Sequence, residues 1–173
     1  MPLLSRIFGE RSGRAALEPL YRAVVAAARD PAWYRGGVPD TMDGRFDMVA
    51  AVLALVLLRM EAEPGPADSR SQVLLTEAFI DDMDGTLRQI GIGDHVVGKH
   101  VGRMMSALGG RLAAFREASD GPAFEAAVRL NVFHDAPPSE EAVALVAARL
   151  IRLRCALADA RISALLDGKL PSP

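Results

Sequence analysis

Apolar residues recur at three- and four-residue spacing along most of the chain, and no alternating pattern is sustained for a useful length, so the sequence predicts helices without strands. Leu75, Phe79, Met83, Leu87 and Ile90 share one helix face, and Val97, Val101, Met104, Leu108 and Phe115 share another. Residues 48–58 are apolar on every side and bracketed by Asp47 and Arg59, which predicts a central helix buried on most sides. The run is shorter than the roughly 20 residues needed to cross a bilayer. Residues 15–29 have helical period, with Pro19 setting the regular start near Glu18 or earlier with a kink and Asp30-Pro31 ending the helix. Residues 33–45, rich in Gly, Pro and Asp, read as an irregular loop pinned to the core by its aromatics.

Residues 63–66 form a break, and Asp120-Gly121-Pro122 opens a helix reaching about Val132. Residues 137–141 then supply proline, cap and acidic first turn for a last long helix ending near Asp167-Gly168. Its Arg149, Arg152, Arg154 and Arg161 are spread around the helix, the pattern of a solvated surface. The predicted fold is all-α: a single compact bundle of about six helices with a long irregular loop after the first. Residues 1–14 form a short amphipathic N-terminal segment and residues 15–168 a single helical domain.

Composition narrows the function. The chain has 173 residues, half of them hydrophobic but only 5% aromatic, the balance of a helical bundle rather than a sheet. A net charge of -2 argues against a nucleic-acid binder driven by phosphate neutralisation. The single Cys155 lies outside any CxxC spacing, so neither a disulfide framework nor a zinc site is expected, and a reducing compartment fits. No secretory signal is visible, so the expected location is the cytoplasm. Leu3, Leu4, Ile7 and Phe8, with arginines nearby, form a short stripe suited at most to weak membrane-surface contact.

Charge and glycine crowd together in residues 75–103. Glu77, Asp81 and Asp84 gather opposite the apolar stripe, relieved only by Arg88 at (i, i+4) from Asp84. This face reads either as solvated or as a surface that meets a basic partner. Asp82 lies at the flank of the stripe, where a carboxylate needs a partner. Gly91-Ile92-Gly93-Asp94 supplies a C-terminal glycine and an N-cap, a tight corner between two helices. Gly98, Gly102, Ser106 and Gly109 or Gly110 keep one strip of the next helix bare, so that another backbone can approach closely, internal packing being the simpler explanation and a partner's backbone the alternative. Beside them His95, Lys99 and Arg103 form a basic edge. Asp82-Met83-Asp84-Gly85 fails as a calcium loop, since Ile80 and Gly91 occupy ligand positions. Gly91-Ile92-Gly93 fails as a dinucleotide fingerprint, and His95 and His100 are five apart rather than four. An enzyme using Asp82 with His95 or His100 and a generic helical adaptor remain as other readings. No catalytic residue, metal ligand or cofactor is assigned.

Two blocks resemble the ubiquinol-cytochrome c chaperone family. One is Gly37-Val38-Pro39-Asp40-Thr41-Met42-Asp43-Gly44-Arg45-Phe46, leading into the buried helix and its closing Arg59. The other is residues 75–99 with the pattern FxxDMDxxLRxxGxGD. The resemblance runs over about residues 15–154. It implies a non-enzymatic helical chaperone that holds newly made cytochrome b during assembly of respiratory complex III; mitochondrial relatives act with a small partner protein near the ribosome. Many relatives carry a histidine where this chain has Val52, and an Arg-Asn pair reads Leu130-Asn131 here, so roles tied to that histidine or arginine do not carry over. A client of apolar helices with basic ends suits acidic residues beside a glycine-lined surface. Asp81, Asp84, Arg88, Gly98, Lys99, Gly102 and Arg103 are therefore the expected partner-binding residues. Asp40, Thr41, Gly44, Arg45, Phe46, Asp82, Gly91, Gly93 and Asp94 are expected to hold the architecture.

Overall fold

The structure of the chain, a computed structural model, describes residues 2–63, 68–89, 94–118, 120–133 and 137–172, with side chains from residue 13 onward except those of residues 68, 87, 94–97 and 100. These residues form the helices α1 (Pro2–Ala28), α2 (Pro31–Arg35), α3 (Met42–Ala62), α4 (Asp68–Gln89), α5 (Asp94–Glu117), α6 (Gly121–Val132), α7 (Glu140–Asp159) and α8 (Ile162–Leu166), and no strand is found among them. The expected bundle of six helices corresponds to the six long ones; α2 and α8 have 5 residues each.

The bundle is arranged around α3. Every residue from Asp47 to Leu57 is buried, and the helix touches α1, α4, α5, α6 and α7. An all-round apolar helix cannot be stable with any side in water, because each Val or Leu side chain withdrawn from solvent contributes about 1.5–3 kcal/mol. The covering helices present the stripes that their periodicity predicts: Leu75, Phe79 and Met83 on α4, Leu108 and Phe115 on α5, and Val143, Leu150 and Leu157 on α7. Phe115 stacks on Phe124 of α6 with ring centroids 4.9 Å apart.

The structure corrects the sequence-based expectation in four places. First, α1 is continuous from Pro2 through Pro19, anchored by buried Leu17, Leu20, Val24 and Ala28, so the segment expected as residues 1–14 and the helix expected from residue 15 are one element.

Second, the irregular loop is confined to residues 36–41. Asp30 caps α2 by accepting from the Ala32 amide at 2.8 Å, with Pro31 at the first helical position. Fully buried Trp33 donates to the Ala27 carbonyl at 2.8 Å.

Third, the last helix breaks after Asp159. Arg59 of α3 donates to the Leu157 carbonyl at 2.8 Å and to the Ala160 carbonyl at 2.9 Å, satisfying the end of α7 so that the chain can turn. α8 then packs back on α1. Gly168 there has a φ of +78° and lies so close to the Pro19 carbonyl that a β-carbon would sit 2.8 Å from its oxygen.

Fourth, two arginines of α7 are structural rather than solvated. Arg149 lies over the Trp33 ring at 4.4 Å and pairs with Asp30 at 3.1 Å, while Arg154 lies over Phe124 at 4.8 Å and donates to the Ala118 carbonyl at 3.2 Å. Arg152 and Arg161 are exposed, as expected.

One polar contact inside the core had no counterpart in the sequence reading. Asp47, placed there as a bracket to an apolar run, accepts from Arg111 of α5 at 2.7 Å, and both are buried. Arg111 also donates to the Asn131 carbonyl of α6, while its buried Nε has no partner among the described residues.

Two outcomes follow. Arg111→Met takes the paired cation from the buried Asp47 carboxylate and should cost about 3–5 kcal/mol in urea unfolding, whereas adding Asp47→Leu should recover most of that loss. Equal destabilisation of the single and double variants would show that the pair is not the cause.

The Asp30 carboxyl is held below the usual carboxylate range, chiefly by the Ala32 amide and further by Arg149. Its contribution is complete above an ordinary Asp pKa of about 3.9 and lost as the pH falls through the lower folded value. Asp30→Asn should therefore flatten the acid limb of a plot of unfolding midpoint against pH; an unchanged acid limb would remove Asp30 from the explanation.

Candidate functional site

The first motif, residues 37–46, turns α2 into α3. Thr41 caps α3 by accepting from the Gly44 amide at 3.0 Å. Gly44 is in close contact with the preceding strand of chain: a β-carbon there would lie 2.1 Å from the Pro39 carbonyl oxygen, which no side-chain rotation relieves. Asp40 accepts from Arg45 Nε at 2.7 Å, and this contact holds the Asp40 carboxyl below its usual range. Phe46 is half-buried against the core, and Tyr34 donates to the Ala28 carbonyl at 3.1 Å.

The second motif lies on α4, where the chain answers its own acidic residues. Asp81 pairs with Arg14 of α1, and Asp84 pairs with Arg88 at 2.7 Å. Asp82 accepts from the Tyr21 hydroxyl at 2.8 Å, which together with burial raises the tyrosine pKa above its usual value. The acidic face is therefore less unbalanced than the sequence suggested. Arg14 and Tyr21 were missed because they are 67 and 61 residues away from their partners in sequence. The Arg14–Asp81 and Arg88–Asp84 pairs are nevertheless at the surface, where such contacts are worth about 0–1 kcal/mol and exchange readily.

The glycine strip of α5 is the largest departure from expectation. Internal packing was its simplest explanation, yet a β-carbon built at Gly98, Gly102, Gly109 or Gly110 would meet nothing within 4 Å among the described residues, and all four are exposed. At 100° per residue, Gly98, Gly102, Met105 and Gly109 fall within roughly 60° of one another, a bare stripe with one thioether at its centre. Met105 is 39% exposed. Lys99 and Arg103, also exposed, flank this stripe. Each interior glycine lowers helix stability by about 1 kcal/mol relative to alanine, and here no described part of the chain benefits from the missing side chains.

Gly91 and Gly93 lie outside the described residues. Asp94 opens α5, while the side chains of His95 and His100 and all of His134 lie outside the description. Among the described residues no group of three His, Cys, Asp or Glu side chains is placed to hold a metal ion. Val52 is fully buried in the apolar centre, and Leu130 is 74% exposed. An open groove of about 510 Å³, not anticipated from sequence, runs between the ends of α3, α5 and α7, floored by Leu55, Leu58, Phe115 and Leu157 and rimmed by Arg59, Glu61, Arg116 and Arg154.

Comparison with known proteins bears on all of this. Residues 35–171 match the family model described as Ubiquinol-cytochrome C chaperone. Both motifs fall inside that match, whereas α1 falls outside it. Among solved structures, the crystal structure of the Cbp3 homolog from Brucella abortus is similar, with 29% sequence identity and a TM-score of 0.79, covering 100% of this chain and 97% of that one. No curated protein matches in sequence.

The two kinds of glycine should respond oppositely to alanine. Gly44→Ala should destabilise by about 1–3 kcal/mol, because the backbone must shift. Gly102→Ala should stabilise by up to about 1 kcal/mol, because the helix gains propensity and nothing is crowded. Unfolding midpoints in urea measure both, and a destabilising Gly102→Ala would show that the strip is covered by the protein's own chain.

Proposed function

Since this chain belongs to the ubiquinol-cytochrome C chaperone family, we propose that it assists assembly of the ubiquinol-cytochrome c reductase complex, respiratory complex III, by holding newly made cytochrome b. The match over residues 35–171, spanning both motifs and all helices from α3 to α8, is the observation that carries this reading. The role is that of a binder rather than an enzyme. Asp82, the carboxylate at the centre of an enzymatic alternative, is engaged by Tyr21.

The mechanism follows from what the client is and what the surface offers. Cytochrome b is a bundle of apolar helices with basic ends on the cytoplasmic side. A bare helix face at Gly98 and Gly102 lets a guest helix approach backbone to backbone, gaining dispersion contacts that larger side chains would block. Asp81 and Asp84 exchange their weak pairs with Arg14 and Arg88 for cations of the guest, while Lys99 and Arg103 select against a guest that is basic throughout. The binding site residues are thus Asp81, Asp84, Arg88, Gly98, Lys99, Gly102 and Arg103. No helix among the described residues is long and apolar enough to cross a membrane. The chaperone works in the cytoplasm at the inner face of the membrane, with weak surface contact through Leu3, Leu4, Ile7 and Phe8 and a small co-chaperone or the ribosome as a further partner.

Capture of cytochrome b from solubilised membranes tests the acidic contact. The variant carrying both Asp81→Lys and Asp84→Lys, with helicity and unfolding midpoint checked, should recover at least about tenfold less cytochrome b than the unaltered chain. Undiminished capture by a folded variant would exclude Asp81 and Asp84 from the contact.

A further inference from the structure

A second surface, along the 29–45 connection, has a different chemistry. Arg29, Pro31, Tyr34, Arg35, Asp40 and Arg45 line one open cleft of about 460 Å³. Three guanidiniums and one carboxylate leave it with a formal charge of +2, in a chain whose net charge is -2. Asp40 is already committed to Arg45 at 2.7 Å. Neither Arg29 nor Arg35 has a hydrogen-bonded or ion-paired partner among the described residues, although Asp30 and Glu141 are nearby. Asp30 is taken by Arg149 and the Ala32 amide, and Glu141 lines a separate cleft beyond Arg35 without pairing with it. Tyr34 lines the same cleft beside these groups.

Cations clustered on a concave surface repel one another, and among the described residues Asp40, paired with Arg45, and Asp30, which feels the charge of Arg35, offset this only in part. Arg29 and Arg35 line the same cleft, and guanidiniums so placed suit a tetrahedral oxyanion, to which each can give two parallel N–H···O bonds. Inorganic phosphate or a phosphate monoester carries about 1.5 to 2 negative charges at neutral pH and a phosphodiester headgroup about one, so either is drawn to the cleft's positive excess. We propose that the cleft between the end of α1, α2 and the start of α3 binds a phosphate-bearing anion, held by Arg29 and Arg35 with Arg45 fixed beside them by Asp40. The same chemistry is presented by a phospholipid headgroup and by a free phosphate compound. A headgroup would fix the orientation of the bundle on a membrane. A soluble phosphate would make the site a ligand sensor next to the cap of the central helix.

The experiment uses the full chain and two charge-matched double variants. Arg29→Gln with Arg35→Gln alters the cleft, and Arg22→Gln with Arg152→Gln removes two exposed arginines elsewhere. Each is titrated calorimetrically with inorganic phosphate at low salt and floated with vesicles of equal parts phosphatidylglycerol and phosphatidylcholine, against phosphatidylcholine alone. Saturable phosphate binding that weakens about tenfold or more only in the cleft variant supports the site with a soluble source. Capture by the anionic vesicles alone, lost only in the cleft variant, supports it with a headgroup source. The proposal is overturned if neither probe binds, or if the cleft variant binds as the unaltered chain does. It is equally overturned if the two double variants lose binding alike, since the effect would then be general charge. None of these readouts involves cytochrome b, so the chaperone reading stands or falls separately.

Discussion

A helix that is apolar on all sides must be surrounded, and that constraint on α3 sets the positions of the other long helices. Five of them touch it, each through the stripe its own periodicity defines. Because the covering helices spend their apolar faces inward, their outward faces are free to carry other features. The glycine stripe of α5 lies on such a face, away from Leu108 and Phe115. The acidic residues of α4 likewise lie opposite Leu75 and Phe79.

Arginine closes the ends of this arrangement. Arg59 satisfies the last carbonyls of α7, Arg154 takes the Ala118 carbonyl after α5, and Arg111 links Asp47 of α3 to the Asn131 carbonyl of α6. A helix C-terminus buried against neighbours leaves acceptors that water cannot reach, and a long cation with several donors satisfies them while adding favourable charge to the dipole. Arg149 and Arg154 also lie over aromatic rings, so their side chains cover Trp33 and Phe124 as well as bonding. In a small bundle with few aromatics, these contacts fix how the helices meet.

Local signals in the sequence were sufficient for the elements. The caps at Asp120 and Ser139 and the stripes of α4 and α5 follow from spacing and residue type, and the structure has them, whereas the cap at Thr41 lay in what read as a loop. Long-range pairing was not legible. The Arg14–Asp81, Tyr21–Asp82 and Asp47–Arg111 contacts join residues more than 60 apart, and no local pattern distinguishes these arginines from solvated ones. The break after Asp159 was missed for the same reason, since the group that ends α7 comes from α3. The glycine stripe was visible in the sequence, but not whether it faced the core. That depends on the angle between the stripe and Leu108, and on whether any neighbouring helix lies over it.

The surfaces that emerge divide by chemistry: a bare, flanked helix face on α5 and α4, and an arginine cleft beside α2. The family places the chain in complex III assembly, and the proposed docking of an apolar guest helix rests on the exposed α5 face. Site-specific photo-crosslinking tests this most directly, with benzoylphenylalanine in place of Met105, at the centre of the glycine stripe, or in place of Leu145, 49% exposed on α7. With newly made cytochrome b present, the probe at position 105 should crosslink to it and the probe at position 145 should not. Crosslinks from position 145 alone, or from neither position while cytochrome b is still captured, would contradict docking on α5.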